Sequence, residues 1–120
     1  MKTVLVVDDS GFMRNLIKRN ISGLDISVVG EAENGKVAVE KYFELKPDIV
    51  TLDLAMNEYD GIGALKVIMK HNPDAKVIIV CSIGGQDVVV DEARALGACA
   101  IISKPIKDDE LVNAIKSLLD

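Results

Sequence analysis

Aromatic side chains are nearly missing from this sequence, with two Phe, two Tyr and no Trp in 120 residues. Modules that hold single-stranded nucleic acid stack bases on exposed rings, and so few rings build no such platform. A basic footprint is missing too. Fourteen Lys and Arg stand against nineteen Asp and Glu, a formal charge of −5, and no cationic run occurs, which argues against nucleic acid as a direct partner. Long apolar runs are also lacking. Met1-Lys2 leads into a hydrophobic stretch that Asp8-Asp9 cut short of a secretory signal core, and no segment reaches the ~18 residues of a membrane span. The expectation is a cytoplasmic protein with no membrane partner. The two cysteines, Cys81 and Cys99, form no CxxC and border apolar runs, so both are expected to be small buried hydrophobes in a reducing compartment.

What the chain does contain is 49% hydrophobic and 28% charged residues, an ordinary globular balance. Its length suits one domain, expected to span residues 1–120 and to bury roughly two-thirds of its unfolded surface without staples. Five short apolar runs recur at even intervals: Thr3–Val7, Ile26–Ala32, Ile49–Leu54, Lys76–Cys81 and Ala100–Ser103. Most are rich in Val and Ile, the signature of parallel strands buried on both faces. Apolar stripes at helical spacing follow each: Met13, Leu16, Ile17 and Ile21; Ala38, Tyr42 and Leu45; Ile62, Leu65, Ile68 and Met69; Val89, Ala93 and Leu96; Leu111, Ala114, Ile115 and Leu118. Asn34 and Asp60 are placed to cap the second and third helices, Lys46-Pro47 and Asn72-Pro73 to stop them, and Gly97 to end the fourth. The fourth helix is the weakest expectation, because Val88-Val89-Val90 is a β-branched run. The pattern is (βα)5, an α/β doubly wound five-stranded parallel sheet with flavodoxin-like strand order 2-1-3-4-5.

Open α/β sheets bind ligands beyond the carboxyl ends of their strands. The first strand ends in Asp8-Asp9, the third in Asp53, the fourth in Ser82 and the fifth in Lys104-Pro105, while the second, outermost strand offers nothing comparable. Helix capping explains one acid at a strand end; it does not explain acids, a hydroxyl and an amine arriving together from four segments. Three carboxylates against one ammonium leave two negative charges unbalanced, and a hard divalent ion neutralises them. Mg²⁺ suits the set, since it takes few carboxylates and keeps positions open for phosphate oxygens. With Lys104 and Ser82 beside it, such a rim is built for phosphoryl transfer by positioning and charge neutralisation, and Asp53, on a central strand, is the carboxylate placed to become an aspartyl phosphate.

At these residues the sequence resembles the receiver domain of two-component response regulators. Asp8-Asp9, Met13-Arg14 opening the first helix, Asp53, Asp60-Gly61, Ser82 and Lys104-Pro105 carry the likeness, which runs the whole length of the chain. It is similar in particular to stand-alone chemotaxis regulators of the CheY type, with no output domain expected after Leu119-Asp120. The resemblance implies that Asp53 accepts phosphate from a phosphohistidine on a histidine kinase. It implies direct Mg²⁺ ligation by Asp9 and Asp53, ligation by Asp8 mostly through water, and by Ala55 through its backbone carbonyl. Ser82 and Lys104 would contact the phosphoryl group, and the Lys104-Pro105 bond would be cis. The output surface would comprise the fourth helix, fifth strand and fifth helix. The expected protein is a monomer, catalytic only on itself through self-phosphorylation and autodephosphorylation, whose phosphorylated form binds a target such as a flagellar motor switch protein. A phosphorelay intermediate passing phosphate to a downstream histidine, or a regulator of another kinase or adaptor, are the other roles open to it.

Four positions depart from the family pattern. Ile101 stands where most receivers have Tyr or Phe, removing the aromatic half of the usual switch. Ile83 is larger than the common Ala or Gly and is expected to slow attack by water on the phosphoryl group. Ala55 replaces longer side chains, and Asn57 a usual Pro. Other chemistries fail on the same letters. Gly30 to Val37 is close to a phosphate-binding loop but lacks the final Ser or Thr, and Glu31 and Glu33 would repel phosphates. Cys81 to Asp87 has the length of a C-x5-R phosphatase loop with Asp in the arginine place. A haloacid-dehalogenase-type phosphatase is the alternative of a different class, but it requires a second Asp where Ala55 stands. His71, the sole histidine, falls at the end of the third helix stripe, far from the acids, and suits a helix C-terminus.

Overall fold

The computed structural model describes residues 1–54, 61–82, 88–107 and 109–119. Strand β1 (Lys2–Val7) leads to helix α1 (Gly11–Asn20), then β2 (Ile26–Ala32), α2 (Gly35–Leu45), β3 (Ile49–Leu52), α3 (Gly61–His71), β4 (Lys76–Cys81), α4 (Val88–Leu96), β5 (Ala100–Ser103) and α5 (Glu110–Lys116). All ladders are parallel and the strand order is β2-β1-β3-β4-β5, the doubly wound sheet expected of the apolar runs. Among the described residues, no helix is long and apolar enough to cross a membrane.

Alternation along the strands sorts the core into two layers. Leu5, Val7, Val50, Leu52 and Ile79 face α2, α3 and α4, where Ala38, Leu65, Ile68, Val90 and Ala93 are fully buried. Val4, Val6, Ile49, Ile78 and Val80 face the opposite way, against Ile17 and Ile21 at α1 and Leu111 and Ile115 of α5. Each such aliphatic side chain contributes about 1.5–3 kcal/mol on burial, so both layers clamp the sheet and hold its carboxyl edge in place.

The helix boundaries follow local chemistry. Asn34 Oδ1 accepts the Val37 amide at 2.8 Å, starting α2 where capping was expected. Helix α2 stops at Lys46, whose φ of 47° is left-handed and turns the chain into Pro47. Gly97, at φ 110°, ends α4 in a conformation that a side chain would strain. Strand β3 is shorter than the apolar run that encodes it. Leu54 leaves the ladder but stays buried in the core, and its carbonyl accepts the amide of Gly61 at 3.2 Å instead of pairing with a strand. Cys99 corrects the expectation of two buried thiols: Cys81 is buried, whereas Cys99 is exposed ahead of β5.

Candidate functional site

Strand register brings the rim residues level. Val7 pairs with Leu52, and Leu52 with Ile79, so Asp8 and Asp53, each one residue further on, leave the sheet side by side. The ladder geometry persists for one more step: the Asp8 amide donates to the Ala32 carbonyl and the Asp53 amide to that of Val7, both at 3.1 Å. On the other side Cys81 pairs with Ser103, and the Lys104 amide donates to the Cys81 carbonyl at 2.8 Å. Lys104 thereby starts level with Ser82, which follows Cys81 and is exposed to solvent.

The acidic residues are not equivalent. Asp8 is fully buried and Asp53 nearly so, while Asp9 is exposed. Carboxylate oxygens of all three lie within 4.8 Å of one another. Lys104 Nζ reaches into the group, 2.8 Å from Asp8 Oδ2 and 3.4 Å from Asp53 Oδ2. Burial works against the charge on this ammonium, but the Asp8 hydrogen bond and the charges of Asp53 and Asp8 outweigh it, so the Lys104 pKa lies above the usual lysine value. A cation is therefore held at neutral pH between the two buried carboxylates. The Lys104-Pro105 peptide is cis, as the resemblance implied.

Mg²⁺ is consistent with these donors. Adjacent oxygens on one octahedral Mg²⁺ stand about 2.9 Å apart and opposite ones about 4.1 Å, so three carboxylates clustered within 4.8 Å would close inward on the ion. Receiver domains bind Mg²⁺ in such an acidic pocket, and here the candidates are Asp8, Asp9 and Asp53. Ala55, whose carbonyl was expected to contribute, lies outside the described residues, as do Asn57, the Asp60 cap and Ile83.

Sequence reasoning missed a brace beneath the pocket. The second strand was expected to contribute nothing, yet Glu31, near the end of β2, accepts Arg14 Nε at 3.0 Å and Lys18 Nζ at 2.7 Å. Those two cations sit one turn apart on α1, a spacing that marks a common face and was readable in the sequence. The Lys18 hydrogen bond, with help from Arg14 and against some burial, lowers the Glu31 pKa below the ordinary glutamate value. Arg14 Nη1 also donates to the Asp8 carbonyl at 2.7 Å. Ser10 caps α1 through Oγ, 3.2 Å from the Met13 amide, and its own amide donates to Asp8 Oδ1 at 2.9 Å. His71 is indeed remote: it occupies the last turn of α3, with its ring edge-on to Phe43 at 4.6 Å.

The model of the response regulator receiver domain family matches residues 4–116. The chain is 51% identical to the chemotaxis protein CheY of Thermotoga maritima over 117 residues, covering 98% of this chain and 97% of that one. It is 44% identical to CheY of Bacillus subtilis over 117 residues, with coverage of 98% and 97%. Among solved structures, it is similar to a CheX-CheY-BeF3-Mg²⁺ complex from Borrelia burgdorferi. The TM-score is 0.91 at 30% identity, over 99% of this chain and 90% of that one.

Proposed function

The chain belongs to the response regulator receiver domain family as a chemotaxis-type regulator, and on that premise we propose that Asp53 is its phosphoacceptor and that phosphorylation switches its binding to a target protein. The observation that carries this reading is Lys104 Nζ lying between the buried carboxylates of Asp8 and Asp53, beside the exposed Asp9. An Asp53 oxygen attacks the phosphorus of a phosphohistidine on a histidine kinase. The P–N bond breaks, and the departing imidazole keeps the electron pair and takes up a proton. Asp9, Asp53 and the Ala55 carbonyl would hold Mg²⁺, with Asp8 acting mostly through water, and the ion would supply positive charge to neutralise the phosphoryl oxygens. Lys104 moves its hydrogen bonds from Asp8 and Asp53 to the new phosphoryl group, and the Ser82 hydroxyl donates to the same group. The protein acts catalytically on itself alone, taking up and losing its phosphoryl group.

Drawn toward the phosphoryl group, Ser82 and Lys104 shift α4, and the surface of α4, β5 and α5 then receives the target. A flagellar motor switch protein is the target class we favour, because the relatives are chemotaxis proteins across the full chain. The Borrelia CheY was captured with CheX, BeF3 and Mg²⁺, which supports a metal-dependent phosphoryl state in a regulator of this shape. The whole of residues 1–120 serves as one receiver unit.

Intact mass after incubation with acetyl phosphate or phosphoramidate, with and without Mg²⁺, tests the chemistry. One Mg²⁺-dependent phosphoryl addition to the wild type, lost in Asp53→Asn, is expected. An adduct that persists in Asp53→Asn would assign the acceptor elsewhere. Sustained turnover of p-nitrophenyl phosphate would instead favour a phosphatase.

A further inference from the structure

Every polar group of Asp8 is engaged. Its amide donates to the Ala32 carbonyl, Oδ1 accepts from the Ser10 amide, Oδ2 accepts from Lys104, and its carbonyl accepts from Arg14. The last contact differs in kind, because the Asp8 carbonyl belongs to the peptide unit that also contains the Asp9 amide. Peptide units are planar, so a donor that orients the carbonyl orients the plane and, with it, the N–Cα bond from which the Asp9 side chain branches. Arg14 is itself clamped: its guanidinium spans the Asp8 carbonyl and Glu31, and Glu31 is held again by Lys18, while Lys41 of α2 donates to the Glu31 carbonyl. Residues of α1, β2 and α2 thus form a chain of contacts that ends, through Arg14, on the Asp8–Asp9 peptide.

We propose that Arg14 is a positioning residue for the acidic pair: braced by Glu31 on the edge strand, it sets the Asp8–Asp9 peptide plane and so presents Asp9 to Mg²⁺. The proposal rests on the reading of Asp8, Asp9 and Asp53 as the Mg²⁺ site. Simple electrostatics predicts the opposite effect of removing Arg14. A cation near three carboxylates opposes Mg²⁺, so deleting its charge alone would tighten binding. Deleting a brace weakens binding, and groups that orient metal ligands commonly matter by about 10-fold or more.

Calorimetric titration with MgCl2 separates the two effects, using the full chain in ~0.15 M salt, where distant charges are screened. Melting curves in EDTA verify that each variant is folded at the working temperature. Arg14→Ala is expected to bind Mg²⁺ about 10-fold more weakly than the wild type. Arg14→Lys should fall between them, since one ammonium cannot span both the carbonyl and Glu31. Glu31→Gln, which keeps Arg14 but loosens it, should weaken binding by a smaller factor. In an Asp9→Asn background, Arg14→Ala should change affinity little, because the ligand it presents is gone. Unchanged or tighter binding by Arg14→Ala, with wild-type binding intact, overturns the proposal alone. No Mg²⁺ binding by the wild type overturns the metal reading and this inference with it. Should Arg14→Ala not fold, weaker binding by both Arg14→Lys and Glu31→Gln supports the brace, and any other pattern overturns it.

Discussion

A hydrogen at Gly61 stands where any other residue would place a carbon, and the space is already taken. A Cβ there would lie 2.2 Å from the Asp53 carbonyl oxygen and 2.5 Å from Leu54 Cα. The first turn of α3 therefore rests directly on the backbone that carries Asp53. Gly61→Ala must push the two apart, with an expected loss of about 1–3 kcal/mol in urea melts. Phosphorylation of Asp53, followed by intact mass, should slow in the same variant. Glu31 makes a different residue-scale prediction. Its folded pKa is lowered, so its contribution to stability is present above the unfolded value and fades as pH falls through the folded one. At neutral pH, Glu31→Gln should melt below the wild type by no more than about 1 kcal/mol equivalent, since the pairs are partly exposed and screened. As pH falls below the ordinary glutamate range and Glu31 protonates, the two melting curves should converge. The rim acids were legible because they break apolar runs; the Arg14 contact with a backbone carbonyl was not, because such a contact leaves no letter in the sequence.

Helices α3 and α4 pack on the same face of the sheet but are held to different degrees. Helix α3 buries Gly61, Ile62, Ala64, Leu65, Ile68 and Met69, whereas α4 buries Val90 and Ala93. The Val88-Val89-Val90 run also gives α4 a poor intrinsic preference, and Val88 is 78% exposed. Amide exchange in the unphosphorylated protein should accordingly be faster through α4 than through α3; equal, slow exchange in both would refute this. Tertiary packing of Val90 and Ala93 explains why α4 forms despite its composition. The strands were the most legible elements, since continuous Val and Ile runs between polar breaks leave little choice of conformation. The end of β3 was not, because Leu54 remains as apolar as a strand residue while its carbonyl serves α3. The second strand looks silent in the sequence because Glu31 is ordinary in isolation; only its position opposite Arg14 and Lys18 gives it a role.

Across the molecule, the carboxyl edge of the sheet concentrates negative charge that the fold tolerates rather than needs. Asp8, Asp9 and Asp53 crowd within 4.8 Å, and among the described residues the ammonium bridging Asp8 and Asp53 is that of Lys104, so a divalent ion would relieve repulsion in the group. Asp9→Asn should therefore raise the melting temperature in EDTA. Saturating Mg²⁺ should stabilise the wild type, by about 2.7 kcal/mol at one hundred times its Kd, and stabilise Asp9→Asn much less. The difference in melting temperature between the two proteins should shrink or reverse as Mg²⁺ is added. Such a trade of stability for a charged site is common where ligand binding demands unfavourable groups.

The opposite edge of the sheet has its own use. Cys99 is exposed just before β5, while Cys81 is buried at the end of β4. The four-residue strand β5 separates Cys99 from Lys104, five residue steps or roughly 17 Å of extended chain. A maleimide dye would thus couple to one thiol of the native fold without any engineered cysteine. It would stand clear of Asp53 yet flank β5 at the end opposite Lys104, the lysine proposed to move, a built-in handle for testing the proposed switch in solution.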